Sequence, residues 1–231
     1  MDGGTEAGEE GVMILPAGYS NDARTLWDVA TALNRAAAAV SPAAVGLPPL
    51  LFFTDPARTL RPWETAARLP AGSAVVYRAF GAADAVETGL KVREAATKAG
   101  VRLLVGLDFD LAQAVSADGL HLPERAADRA SAMRAARPDW LLTAAWHGGA
   151  TATDGLDALV LSPVFPAGGT SSSKPALGVG SFRIKAARAR LPVYALGGIT
   201  QANAGRIVGA CGLAGVDAIQ SAFGEAPRIR T

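Results

Sequence analysis

The sequence predicts an α/β fold: a single (β/α)8 TIM barrel with an N-terminal helical extension. Three observations carry that reading. From residue 50 onward, short apolar runs alternate with Ala- and Arg-rich stretches of helical periodicity. Each apolar run ends in a loop rich in Gly, Ser, Thr or charged residues, as parallel strands do where they reach the functional face. Eight such units fit into roughly 180 residues, which favours a closed barrel. An open doubly wound sheet would carry a Gly-rich turn after its first strand, where Thr54-Asp55-Pro56 stands instead.

Taken in order, residues 1–20 are expected to be a disordered tail, because Asp2, Glu6, Glu9 and Glu10 lie among glycines that cannot repay the entropy of ordering. Residues 21–46 form the helical extension, capped by Asn21 or Asp22, running from about Ala23 to Ala39 with Leu26, Val29, Ala30 and Leu33 on one face. Ser41-Pro42 and Gly46-Leu-Pro-Pro49 end it. The barrel, 47–225, then takes its strands from Leu50–Thr54, Ala74–Arg78, Val101–Gly106, Gly119–Leu122, Trp140–Ala144, Ala158–Ser162, Val193–Leu196 and Ala214–Ile219. Between them lie helices such as Ala83 to Ala99, with Val86, Leu90 and Ala95 as its apolar stripe, and Arg125 to Ala136.

Composition narrows the function classes. Half the residues are hydrophobic and 19% are charged, which excludes a disordered or fibrous chain. A net charge of +1 with dispersed Lys and Arg gives no reason to expect nucleic acid or an acidic membrane as partner. No run reaches the roughly 18 apolar residues of a membrane span, and no signal peptide opens the chain, so a cytoplasmic location is expected. The single Cys211 reads as a buried, inert thiol.

In such a barrel the chemistry comes from strand ends. Those ends supply Thr54 and Asp55, Arg78, Asp108 and Asp110, His121 and Glu124, His147, Ser162 through Lys174, Gly197 and Gly198, and Gln220 and Ser221. Gly197-Gly198 lets backbone N–H groups approach an anion, and a helix start near Gln220 and Ser221 adds partial positive charge, so a phosphate is the expected ligand there. His147 is the expected proton-transfer group, since a neutral imidazole can take and return a proton near neutral pH, with Trp146 as an apolar wall. His121 alternates with Leu120 and Leu122, which places it inside the barrel; it joins Thr54 and Ser162 as a pocket residue. Asp108 and Asp110 are the candidate metal ligands, although Asp110 also suits a helix's first turn.

Three motifs in order, Ala117-Asp-Gly-Leu-His-Leu122, Ser162-Pro-Val-Phe-Pro166 with Lys174 and Leu177-Gly178, and Pro192-Val-Tyr-Ala-Leu-Gly-Gly-Ile199 with Asn203, make the chain resemble the thiamine phosphate synthase family, which includes the thiazole tautomerases. The resemblance covers roughly Leu50 to Ala222 and implies a β/α barrel that binds a small phosphorylated ligand, a thiazole phosphate, held by Gly197, Gly198 and Ser221. In synthases it implies a pyrimidine diphosphate, magnesium as cofactor and a transferase reaction that displaces pyrophosphate, which Lys174 would meet, with Arg78 kept from the family's Gln-x-Arg-x-Lys pattern as a further catalytic residue. In tautomerases it implies an isomerase with His147 as the catalytic group. No organic cofactor is expected.

The chain departs from the synthase pattern. Phe80 stands at a lysine position, Gly106-Leu107 where an Asn-Asp pair is usual, Ala126 near the second metal-binding acid, and Ala145 at a serine. A synthase, a tautomerase-like isomerase and a non-catalytic thiamine or thiazole phosphate-binding protein are therefore the three readings. The N-terminal helix either covers the barrel bottom or packs against a second subunit in a homodimer.

Overall fold

A computed structural model describes residues 15–168 and 174–224 of the chain. Its strands are β1 (Leu50–Phe53), β2 (Ala74–Tyr77), β3 (Arg102–Gly106), β4 (Gly119–Leu122), β5 (Leu141–Trp146), β6 (Ala158–Leu161), β7 (Val193–Leu196) and β8 (Gly212–Gly215). All pair in parallel with their sequence neighbours, and the barrel closes at β1, where Leu51 pairs with Ala74 of β2 on one side and with Ala214 of β8 on the other. Both faces of each strand are covered, which is why the strands read as continuous apolar runs. Leu51, Phe53, Val76, Leu104, Val160 and Tyr194 fill the barrel, with Leu47 beneath. Phe52, Val75, Leu103, Leu120, Leu142 and Leu161 point outward to the helices α1 (Asn21–Val40), α2 (Pro62–Ala66), α3 (Ala85–Ala99), α4 (Phe109–Ala114), α5 (Ala130–Ala136), α6 (Gly178–Arg188) and α7 (Asp217–Phe223).

Two carboxylates pin the register at the bottom of the barrel. Asp118 Oδ2 accepts the N–H of Leu103 at 2.7 Å and is held by Arg93 at 2.8 Å. Asp157 Oδ2 repeats this on Leu142 N at 2.7 Å and Arg134 at 2.6 Å.

Helix α1 is capped by Ser20, whose Oγ accepts from Ala23 N at 3.1 Å, rather than by Asn21 or Asp22. It packs along the side of the barrel rather than over its bottom, burying Leu26, Trp27 and Ala30 against β8, β1 and α7. Asn34 near its end donates to Leu47 O and Cys211 O below the strands, while Asp22 in its first turn reaches the opposite mouth. Within the expected tail, Leu15 is buried and its carbonyl accepts from Arg24. The remainder of the expected tail, 1–14, and residue 225 lie outside the described residues.

Three further expectations are corrected. Helix α3 buries Gly89, Val92 and Ala96 and leaves Val86 and Leu90 47% and 49% exposed. The reason is close approach: a Cβ on Gly89 would lie 2.7 Å from Val115 Cγ1, so the glycine face is the one that can press against the barrel. The last strand stops at Gly215 and Asp217 begins α7, so Ile219, read as strand, is buried from a helix; a short apolar run cannot by itself distinguish the two. Finally, β5 extends to Trp146, which faces the helix layer beside Leu142 and Ala144 and supplies no wall to a histidine at the mouth. Among the described residues no helix is long and apolar enough to cross a membrane.

Candidate active site

The C-terminal ends of the strands open into a cavity of about 380 Å³ on the β7–β8–β1–β2 side. Ser162, Gly197, Gly198, Ser221 and Arg78 line it, so five sequence-chosen residues from four strand ends converge there. Arg58, Asp217 and Asp22 line it too.

Local chemistry shapes the glycine turn. Gly197 and Gly198 have φ of +101° and +62°, a region open to glycine but strained for other residues. Their bare α-carbons face the Ser162–Pro166 segment: a Cβ on Gly198 would meet Pro166 O at 2.2 Å, and one on Gly197 would meet Pro163 at 2.7 Å. Val164 N donates to Leu196 O and Phe165 N to Gly197 O, at 2.9 and 3.0 Å. Two motifs separated in sequence thus form one surface. Asn203 locks it from below, accepting from Thr200 N at 2.8 Å and donating to Gly198 O at 2.9 Å.

Arg78 is positioned through Thr54, whose carbonyl accepts from Nε at 2.6 Å and whose Oγ1 accepts from the Arg78 backbone N–H at 2.9 Å. The guanidinium carbon sits 5.4 Å from the ring centres of Phe53 and Phe80. Burial lowers the Arg78 pKa below the ordinary guanidinium value, Asp55 opposes this and Arg58 adds to it. Thr54, instead of lining the main cavity, lines with Arg78 a smaller one of about 190 Å³ between the β1 and β2 loops.

Asp55 is 12% exposed and binds Arg58 Nη2 at 3.0 Å; Arg58 Nη1 reaches Asp217 Oδ2 at 2.7 Å. Burial alone would raise the Asp55 pKa, but the Arg58 hydrogen bond, the Ala57 N–H and both arginine charges together hold it below the usual value. Because α7 starts at Asp217, the expected helix start at Gln220 and Ser221 is corrected: both lie a turn inside α7, and of the two only Ser221 lines the cavity.

His121 is inside the barrel, as its alternation indicates. Its Nδ1 is 3.0 Å from Thr143 Oγ1 and its ring stands edge-on to Phe53 at 4.8 Å. Burial, with Arg78 nearby, pushes its pKa down to about 3, so the ring is neutral and structural.

His147 follows β5 on the β4–β6 side of the mouth, outside the lining of the main cavity. Glu124 Oε2 is 2.5 Å from its Nδ1, and Lys174 Nζ is 2.9 Å from its Nε2. The carboxylate can only accept, so the ring proton sits on Nδ1 and Nε2 accepts from the ammonium. The loop stretch 169–173, expected to close over an anion, lies outside the described residues.

The two aspartates expected to hold magnesium lie apart from the main cavity. Asp108 spends Oδ1 on capping α4 through Leu111 N at 2.9 Å, Asp110 occupies that helix's first turn, and neither lines the cavity. Among the described residues no group of three or more His, Cys, Asp or Glu could hold a metal ion.

Sequence reasoning passed over Arg58, Asp217 and the pairing of Glu124 with His147. The available signal was adjacency: β8 neighbours β1 and β4 neighbours β5, so charged residues just past those strand pairs meet.

The family model described as thiamine monophosphate synthase matches residues 51–222. The thiamine-phosphate synthase of Methanoculleus marisnigri is 33% identical over 146 residues, 62% of this chain and 69% of that protein. That of Desulfitobacterium hafniense is 32% identical over 143 residues, 60% of this chain and 69% of its own. A solved structure of a thiamine phosphate pyrophosphorylase from Pyrococcus furiosus superposes with a TM-score of 0.64 at 22% identity, covering 77% of this chain and 92% of that one, and shows the same fold.

Proposed function

Because the chain belongs to the thiamine monophosphate synthase family, we propose that it is an enzyme of thiamine biosynthesis, a transferase of the thiamine phosphate synthase type. Its main cavity would take a thiazole phosphate, and the observation that carries this is the convergence of Ser162, Gly197, Gly198 and Ser221 with two arginines around one space. The backbone of the glycine turn and the guanidinium groups supply donors and positive charge for the phosphate.

In the transferase reading the thiazole ring nitrogen gives its lone pair to the pyrimidine's methylene carbon. The C–N bond forms as the C–O bond to the diphosphate breaks, and pyrophosphate leaves with that electron pair. The residues orient the two substrates and offset the charge that develops on the leaving group, a task suited to Arg78 and Lys174. No step is assigned to a metal.

The Glu124–His147 contact supports a second reading, isomerisation of the thiazole by proton transfer. His147 Nε2 would act as the base once Lys174 turns to the ligand's anion, and Glu124 would stabilise the imidazolium that forms. Calorimetric titration with thiazole phosphate and with pyrimidine diphosphate, each with and without magnesium and coupled to an assay for thiamine phosphate, separates the readings. Product formation supports the transferase. Thiazole phosphate binding without product removes it and leaves the isomerase and the non-catalytic binder, which solvent deuterium exchange into the ligand separates.

A further inference from the structure

Arg58 stands between two carboxylates of unequal mobility. On one side Asp55 is fixed: its side chain is 12% exposed, its Oδ1 accepts Ala57 N at 3.1 Å, and its backbone is tied twice to Thr59 Oγ1, at 2.7 and 2.8 Å. On the other, Asp217 is 64% exposed, and the only partner its carboxylate has among the described residues is Arg58. Arg58 and Asp217 both line the main cavity beside Gly197 and Gly198. The buried Nε of Arg58 and Nη2 of Arg78 have no hydrogen-bond partner, so donor capacity of the arginine pair is unspent.

We propose that Arg58 is the anion-selecting residue of this cavity and that Asp217 is a built-in competitor, displaced from Arg58 when the phosphate monoester of a ligand binds. This rests on the reading that a phosphate occupies the cavity. An exposed ion pair is weak and its side chain free to rotate, so Asp217 yields at little cost, whereas Asp55 keeps Arg58 aimed. Exchange of one acceptor for another leaves the guanidinium paired in both states. A phosphate brings more charge and more acceptor oxygens than Asp217, which makes the exchange favourable for a phosphorylated ligand and unfavourable for its alcohol. The arginine also supplies a cation in a site where Phe80 replaces the family's lysine and neither Asp108 nor Asp110 lines the cavity.

The opposite signs of two substitutions test this. Binding of inorganic phosphate and of thiazole phosphate is measured by calorimetry in EDTA, with thiazole alcohol as control. Asp217→Asn should bind both phosphates roughly three- to ten-fold more tightly, and Arg58→Gln should weaken both at least about ten-fold with the alcohol unaffected. Asp217→Asn alters an exposed side chain, so it stays informative if Arg58→Gln fails to fold, which thermal melting will show. Unchanged or weaker phosphate binding by Asp217→Asn overturns the proposal, as does retained affinity in folded Arg58→Gln. If wild type binds thiazole phosphate but the variants behave alike, the thiazole phosphate reading stands and this inference falls. If inorganic phosphate gives the two-signed pattern and thiazole phosphate does not bind, the inference stands and that reading falls; binding of neither removes both.

Discussion

Glu124 grips His147 twice, with Oε1 accepting the backbone N–H at 3.1 Å and Oε2 lying 2.5 Å from the ring Nδ1. The two residues close adjacent parallel strands, β4 and β5, so their side chains rise side by side at the mouth. The double contact fixes both the position of the ring and its tautomer, leaving the Nε2 lone pair toward Lys174.

If that lone pair moves a proton, His147→Ala lowers deuterium uptake from solvent into thiazole phosphate by about a hundred-fold or more, the usual contribution of a general base. Glu124→Gln should lower it less and shift its pH profile, because the ring loses its tautomer control. NMR of the exchanging ligand reads both. Wild-type exchange in His147→Ala would remove the residue from the chemistry.

Substitution at Gly198 will read out packing before it reads out phosphate. An alanine there must adopt φ near +62° and place its Cβ against Pro166 O. We expect Gly198→Ala to lose about 2 kcal/mol or more of stability in denaturant titration, with the phosphorylated and unphosphorylated ligands weakened together. Loss confined to the phosphorylated ligand, at wild-type stability, would contradict the packing role.

His121 makes the fold acid-sensitive. Its folded pKa is about 3, against 6.5 for the free side chain. Between these values the unfolded chain binds a proton that the folded chain refuses, so stability falls as pH drops below 6.5 and stops falling from this source near 3. The slope is about 1.4 kcal/mol per pH unit. His121→Gln, which can still bond Thr143, should flatten stability against pH in that window. An unchanged slope would assign the acid sensitivity to other groups.

Asp157→Ala strands the N–H of Leu142 and takes the carboxylate from Arg134, which keeps its bonds to the carbonyls of Pro138, Trp140 and Gly155. The expected cost is about 1–3 kcal/mol, and Asp118→Ala should match it through Leu103 and Arg93. Urea titration of the two single variants and the double checks whether the costs add, as they should for separate strand pairs.

The sequence alone determined the barrel, because eight strands buried on both faces must read as apolar runs and their carboxyl ends must carry the polar loops. It also determined that Ser162, Gly197, Gly198 and Arg78 lie at the carboxyl ends of the strands, where they line one cavity, and that His121 lies inside, since alternation along a strand fixes which way a side chain points. Tertiary structure decided which face of α3 turns inward, because Gly89 fits under Val115 and Tyr77 where Val86 cannot be placed by periodicity. It decided that Asp217 heads α7, since an apolar segment of that length suits strand and helix equally. Above all it paired Glu124 with His147 and Arg58 with Asp217, residues 23 and 159 positions apart. Periodicity reports how a side chain faces its own element, whereas a charge pair between strand ends depends on which strands lie side by side, and for Arg58 with Asp217 on the closure of β8 onto β1, which no local pattern encodes.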